Sequence, residues 1–199
     1  MRRLPQATDN EARQVPVRWL EDRAHYDFAL GALSRAKHSL WIATANLKDV
    51  RMEAPIGTVA RAKKRYVSVV DHFSGLVSGG VELRILLASP PSRPFRESLR
   101  KRKTLATTQH WLRQCPRVHL KLVVVDGADL YLGSANFTGA GMGAKGDSRR
   151  NFELGITTTD HVLIDAAQRR FDRIWSGREC KGCRVRNLCP APLDGQSET

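Results

Sequence analysis

Apolar residues recur along this chain with two different periods, which predict helices and strands in turn. Leu20, Phe28, Leu30 and Leu33 are spaced for one face of a helix, so an amphipathic helix is expected over 17–38. Gly79-Gly80 is a typical stop signal for a second helix. The helices predicted after the first cover 58–78, 93–114 and 160–175.

Short apolar runs between these helices predict buried strands. Each run is bounded by polar or turn-forming residues, and Asp126-Gly127 is a hairpin-turn dipeptide that joins two of them. Helices that alternate with strands are typical of a layered α/β domain. The predicted strands cover 39–46, 81–88, 118–125, 129–132 and 152–157.

The chain length and the local composition suggest how the chain is divided. A chain of 199 residues suits one domain with a small appendage. Residues 1–16 are polar and contain two prolines, so we expect a loose N-terminal segment. We expect one folded domain over 17–177 and a small tail over 178–199 that carries most of the cysteines.

The chain carries a strong excess of positive charge. Its 33 Lys and Arg against 20 Asp and Glu give a net charge of +13, which is typical of a protein that binds a polyanion, although a generally solvated basic surface has the same composition. No segment approaches the roughly 20 apolar residues that span a bilayer. The N-terminal residues MRRLPQATDNEARQ lack the apolar stretch of a secretory signal. We therefore expect a cytoplasmic protein without a membrane anchor.

Polar side chains of a distinctive kind interrupt the apolar strands around the predicted hairpin. His119 and Lys121 are two residues apart, so on a strand they project from the same face. Beyond the hairpin, Gly133 permits close approach, while Ser134 and Asn136 supply a hydroxyl and an amide. Burying an imidazole and an ammonium without partners is costly, so these groups are expected to line a pocket for a tetrahedral oxyanion. A histidine alone would more often be a hydrogen-bonded core residue.

The same residues match the signature of a family. The pattern His-x-Lys-x4-Asp-x6-Gly-Ser-x-Asn, which begins at His119, includes Asp126 and ends at Asn136, resembles the phospholipase D superfamily motif at every defined position. Asn151-Phe-Glu153 resembles the downstream Asn-x-Glu element of that family. The resemblance covers about 39–175. It implies a phospholipase D-like layered fold, with a mixed central sheet flanked by helices and with 17–177 as the catalytic domain.

The resemblance implies cleavage of a phosphodiester through a phosphohistidine. In the family one histidine attacks phosphorus, a second protonates the leaving oxygen, and no catalytic metal is used. Active sites of the family combine two copies of the motif, whereas this chain has one. We therefore expect a homodimer that pairs His119 with His119 of the partner subunit.

The resemblance also implies a role for each residue of the motif. Glu153 would hydrogen-bond the far ring nitrogen of His119, which fixes the tautomer and raises the basicity of the ring. Asp126 would anchor the hairpin and take no part in the reaction. The residues expected to hold the phosphate or to let it approach are Lys121, Ser134, Asn136 and Gly133.

The substrate class stays open, because the superfamily includes nucleases, phospholipases, lipid synthases and members that bind without catalysis. The basic charge favours DNA or RNA. A phospholipase or phosphatidyl transferase on anionic lipid and a non-catalytic nucleic-acid-binding module remain alternatives. Small proteins of this kind resemble components of bacterial anti-phage defence clusters, so a role in DNA processing or defence, within a larger complex, is a further expectation. The residues expected to contact nucleic acid are Arg96, Arg100, Lys101, Arg102, Lys103, Arg149 and Arg150.

The cysteines form a second candidate site. Cys180 and Cys183 have the C-x2-C spacing of metal ligands, Cys189 follows closely, and Cys115 is the only candidate for a fourth thiolate. Disulfides are disfavoured in the expected compartment. The spacing resembles the iron–sulfur staple of Cas4-type and AddB-type nucleases, which implies a structural [4Fe–4S] cluster that ties the tail to the loop before His119. Zinc and free cysteines remain alternatives.

Overall fold

The computed structural model describes residues 12–108 and 110–195. Residues 1–11 of the predicted N-terminal segment and 196–199 of the predicted tail lie outside the described residues. The strands are β1 (Arg18–Glu21), β2 (Ser39–Thr44), β3 (Arg51–Glu53), β4 (Tyr66–Ser68), β5 (Glu82–Leu87), β6 (Leu112–Gln114), β7 (Leu122–Val125), β8 (Asp129–Gly133) and β9 (Leu154–Thr158). The helices are α1 (Ala24–Arg35), α2 (Val59–Ala62), α3 (Val69–Ser78), α4 (Arg93–Arg100), α5 (Lys103–Thr107) and α6 (His161–Trp175).

One mixed sheet of seven strands, in the order β1-β9-β8-β7-β2-β5-β6, forms the centre of the molecule. β2 pairs in parallel with β5, and β5 with β6, because helical crossovers connect these strands. On the other side of β2, the strands β7, β8, β9 and β1 pair antiparallel. The expected fold class, a mixed sheet flanked by helices, is confirmed.

Each face of the sheet carries its own hydrophobic layer, because side chains alternate between faces along a strand. Val123 and Val125 of β7 belong to the layer that includes α1 and α3. Val124 belongs to the opposite layer with α6, where the ring of Phe171 stacks on Trp41 at a centroid distance of 5.2 Å. Among the described helices, none has both the length and the apolar character needed to cross a membrane.

Some predicted boundaries are wrong, and pairing with distant strands explains each error. The helix predicted from residue 17 begins at Ala24, because Arg18–Glu21 pair with β9 as an edge strand in which only Leu20 is buried. The helix predicted over 58–78 is interrupted by β4, which pairs with β3. The helix predicted over 93–114 splits into α4 and α5 and gives way to β6, which extends the sheet beside β5. Helical spacing within one window cannot show such pairing.

The C-terminal tail folds back onto the end of α6. Leu193 is buried in the core layer of α6, and the Glu179 carboxylate accepts hydrogen bonds from Arg173 and Arg170 of that helix. The turn into the tail requires a glycine, because Gly177 has a φ of +73° and an added Cβ would collide with the backbone around Leu193 and Asp194. The tail is therefore packed against the domain.

Asp126 joins the β7–β8 turn to the start of β2. Its carboxylate accepts backbone N–H bonds from Lys37 at 3.0 Å, from His38 at 2.8 Å and from Ser39 at 2.8 Å. Desolvation opposes ionisation of this carboxyl, but the backbone donors outweigh it and hold the pKa of Asp126 below its ordinary value. The residue itself has a left-handed φ of 53°, which Asn tolerates as well as Asp does.

Replacing Asp126 by Asn should therefore remove the charge without disturbing the turn. We expect the free energy of unfolding at pH 7 to fall by about 1–3 kcal/mol, because the charged acceptor of several N–H bonds is lost. A carboxyl with a depressed pKa stabilises the fold above its unfolded pKa, and that contribution is lost as the pH falls through its folded pKa. Urea unfolding at pH 7 and at low pH measures the difference, which should shrink below about pH 4. Asp165→Asn, at an exposed site on α6, is the control, and an equal effect of both variants at pH 7 would contradict the anchoring role.

Candidate active site

The motif residues meet at one edge of the sheet, although three separate segments carry them. β7 runs antiparallel to β2 and β8, so the residues that enter β7 lie beside the carboxyl ends of those two strands. β9 runs antiparallel to β8, which brings the residues that enter β9 to the same place. We call this region the motif edge, and its residues are His119, Lys121, Ser134, Asn136 and Glu153.

His119 and Lys121 lie in the extended segment that leads into β7. The strand predicted over 118–125 begins at Leu122. Lys121 Nζ lies 3.0 Å from both ring nitrogens of His119 and 2.9 Å from its carbonyl oxygen. Burial lowers the pKa of Lys121 below its ordinary value, and the nearby Glu153 carboxylate opposes that effect. His119 is exposed, so its ring is open to a substrate or to a partner chain.

Contacts with the end of β2 fix the orientation of the Asn136 side chain. Its Oδ1 accepts hydrogen bonds from the backbone N–H of Ala45 at 3.1 Å and of Asn46 at 3.2 Å, and from the Thr44 hydroxyl at 3.3 Å. Since the oxygen must face these donors, the amide nitrogen of Asn136 is the group left to donate elsewhere. The sequence offered one signal for this contact, the polar Thr-Ala-Asn that ends a buried run.

Glu153 makes contacts other than the one expected from the family resemblance. Its carboxylate accepts hydrogen bonds from the Ser134 hydroxyl and, at 3.0 Å, from the Asn151 side chain. Gly133 pairs with Gly155, which places Ser134 beside Glu153. The expected bond from Glu153 to the ring of His119 stays a prediction. The Ser134 hydroxyl therefore faces a carboxylate in this chain.

A buried histidine and tyrosine lie beneath the motif edge, and no sequence motif includes either residue. His25 Nδ1 lies 3.1 Å from the Tyr131 hydroxyl, and its Nε2 lies 3.2 Å from the carbonyl oxygen of Glu153. Both side chains are buried, and desolvation raises the pKa of Tyr131, which keeps the phenol neutral. Gly155 leaves room for them, since an added Cβ would collide with the Tyr131 ring. The pair supports the backbone at Glu153.

The arginines of the loop before β9 lie close to the motif edge. Arg150 is ion-paired with Asp147, whereas Arg149 is exposed. The backbone N–H of Asn151, which follows them, donates to the carbonyl of Ala140 at 3.2 Å. This bond ties the arginine segment to the loop that follows Asn136.

The basic run over 96–103 leads away from the motif edge. Arg96 lies on α4, which begins after the carboxyl end of β5, so it is the member of the run nearest that edge. The chain then returns toward the amino end of β5, where Thr104 contacts Ser78 at the end of α3. A parallel crossover forces this reversal. The residues of the run that follow Arg96 are Arg100, Lys101, Arg102, which is ion-paired with Asp71 in the first turn of α3, and Lys103.

The cysteines come together in space although they are distant in sequence. A single cavity between α6, the tail and the segment before His119 is lined by Cys115, Cys180, Cys183 and Cys189. The guanidinium of Arg117 lies 3.4 Å from Cys183 Sγ. Hydrogen bonding from the Val185 backbone and from Arg117 lowers the pKa of Cys183, which favours the thiolate. Across residues 12–108 and 110–195, no three His, Cys, Asp or Glu side chains are already arranged around a point that could hold a metal ion.

Comparisons with known proteins agree with this architecture. Nuc from Salmonella typhimurium, a phospholipase D family member, is 16% identical with a TM-score of 0.55, and the match covers 82% of this chain and 95% of that one. NucT from Helicobacter pylori is 15% identical with a TM-score of 0.53, covering 80% and 95%. Phosphatidylserine synthase from Haemophilus influenzae is 10% identical with a TM-score of 0.56, covering 77% and 35%.

These structures share the fold of the chain, and a comparison with curated proteins found no match. The family model described as "Cardiolipin synthase, PLD-like domain" matches residues 30–175, which is most of the sequence. The chain therefore belongs to the phospholipase D-like family.

Proposed function

We propose that this protein is a nuclease that cleaves phosphodiesters through a phosphohistidine and works as a homodimer. The observation that carries the proposal is the contact between the exposed His119 and the half-buried Lys121 at the motif edge, with the oriented amide of Asn136 beside it. An imidazole supplies a nucleophile, while the ammonium and the amide N–H supply donors for a phosphate. The family signature supplies the order of the steps.

The proposed reaction balances with two histidines and one water. The His119 imidazole of one protomer attacks phosphorus, and the bond to the leaving oxygen breaks as that oxygen takes a proton from His119 of the partner subunit. The partner's His119, now neutral, removes a proton from water, which attacks the phosphohistidine and releases the first ring. Lys121 and Asn136 would hold the non-bridging oxygens, so Lys121 Nζ would turn from the ring toward the phosphate.

Exposed apolar side chains beside the motif edge support the dimer. Phe152, next to Glu153, is fully exposed at 101%, and Leu154 is exposed at 50%. Burying an aromatic and an aliphatic side chain of this kind is worth about 1.5–3 kcal/mol each. A second copy that covers Phe152 would also bring its own His119 to the same edge, which completes a site that one chain provides only in half.

Positive charge near the motif edge supports nucleic acid as the substrate. The net charge is +13, and Arg149 lies in the loop that leads to Glu153. Sequence reasoning missed a groove beside the loop after Asn136, lined in part by Lys48, Arg51 and Lys145. Lysine and arginine along a groove bind a phosphate backbone without reading sequence. The expected part in DNA processing or defence, within a larger complex, stays a prediction.

Phosphatidyl transfer is the second candidate, and two findings favour it. The matching family model is described as a cardiolipin synthase domain, and one of the similar structures is a phosphatidylserine synthase. Anionic lipid would also be attracted by a basic surface. Headgroup release from anionic vesicles, in place of nucleic acid cleavage, would select this activity.

Replacing His119 by Ala should abolish cleavage of end-labelled DNA or RNA. We expect a loss of about 10³-fold or more, since the nucleophile and the proton donor are removed together. Wild-type cleavage should persist in EDTA, because the family chemistry needs no metal. The control is His161→Ala, an exposed histidine at the start of α6 that follows the other end of β9. Cleavage by the His119→Ala protein at the wild-type rate would overturn the proposal.

Arg149 and Lys103 should differ in their effect on nucleic acid binding, because only Arg149 lies near the motif edge. Arg149→Ala should lower the slope of log affinity against log salt by about 1, the loss of one phosphate contact. Lys103→Ala, which removes the same charge from α5, should leave the slope unchanged. Fluorescence anisotropy with a labelled oligonucleotide at several salt concentrations measures both. Equal slopes for the two variants would contradict a substrate path along the motif edge.

A further inference from the structure

The cavity lined by cysteines plays no part in the proposed reaction. Three parts of the chain line it: the segment after β6, the C-terminal tail and helix α6. Cys115 follows β6, and its backbone N–H donates to Leu87 at the end of β5 at 2.8 Å. The tail supplies Cys180, Cys183 and Cys189. Helix α6 supplies an apolar wall through Ile174. All the cysteines of the chain thus line one cavity.

Basic side chains accompany these thiols. The Arg117 guanidinium contacts Cys183 Sγ, and Arg186, which is ion-paired with Asp194, also lies close enough for its charge to interact with Cys183. Four thiolates around a divalent metal centre carry a net charge of about −2. Nearby guanidinium groups would offset that charge.

We propose that the cysteine cavity binds a [4Fe–4S] cluster through Cys115, Cys180, Cys183 and Cys189. The ligand set is made only of soft thiolates, which suits iron–sulfur clusters as well as zinc. Zinc sites with four cysteines usually present two C-x2-C pairs, whereas this chain has one pair and two separate cysteines. The last cysteine, Cys189, is followed directly by Pro190. The last cysteine of the bacterial iron–sulfur motif C-x2-C-x2-C-x3-C-P is also followed by a proline.

The position of the cavity indicates that the cluster would stabilise the segment that carries His119. Cys115 lies four residues before His119, and the turn between them is closed by a hydrogen bond from Val118 N–H to the carbonyl of Cys115 at 2.9 Å. A cluster held by Cys115 and by the tail would therefore fix the segment that carries His119. The role goes beyond the proposed nuclease activity and does not depend on it.

Metal analysis of the full chain, purified anaerobically, tests the site without any activity measurement. The expected result is a brown protein with about four iron atoms and four acid-labile sulfides per chain. One zinc per chain without sulfide would overturn the iron–sulfur assignment. A folded protein with neither metal, even after reconstitution with iron and sulfide, would overturn the site itself.

A matched pair of tail variants tests the ligands. Cys183→Ala should lower the iron content by about tenfold or more, because a cluster that loses a thiolate is released. Leu188→Ala, at an exposed tail position, should keep the wild-type iron content. Circular dichroism of both variants separates loss of the cluster from loss of the fold, and Cys115→Ala repeats the test from the other side of the cavity. Full iron in a folded Cys183→Ala protein would contradict the assignment.

Discussion

The antiparallel pairing of β7 with both β2 and β8 is the constraint on which the candidate site depends. It places the segment that enters β7 beside the carboxyl end of β2, where Asn136 is held by backbone N–H groups, and beside the residues that leave β8. The local sequence alone does not bring the residues of the motif edge together. Ladder hydrogen bonds among β2, β7, β8 and β9 bring His119, Asn136 and Glu153 to one edge. Asp126 fixes the turn at the other end of the β7–β8 pair.

Reactive and apolar groups are exposed together at the motif edge. His119 and Phe152 are exposed within a few residues of buried strands. A fully exposed aromatic ring next to the Glu153 carboxylate gives nothing to the stability of a single chain. A partner copy over this edge would account for both features, because it would bury the ring and supply the second histidine. The buried pair His25 and Tyr131 would then give that interface a rigid base.

Sequence reasoning predicted the fold class and the family because both depend on short patterns. The spacing from His119 to Asn136 lies within one hairpin, and strand runs such as Ser39–Thr44 are short, apolar and bounded by polar residues. The errors concern long-range pairing. Residues 18–21 and 112–114 become strands because they pair with β9 and β5. The contact between Glu153 and Ser134 likewise depends on the pairing of β8 with β9, which no local pattern shows. The groove with Lys48 and Lys145 was missed because its residues come from separate loops.

The central claim is that one active site needs two copies of His119, and a mixing experiment tests it most directly. Wild-type chains are unfolded and refolded with a tenfold excess of His119→Ala chains, so that most wild-type chains pair with an inactive partner. The account predicts that nuclease activity per wild-type chain falls by about tenfold, because only dimers of two wild-type chains keep both histidines. The same excess of His161→Ala chains should cause no loss. Unchanged activity per wild-type chain in the His119→Ala mixture would show that each chain cleaves alone and would contradict the account.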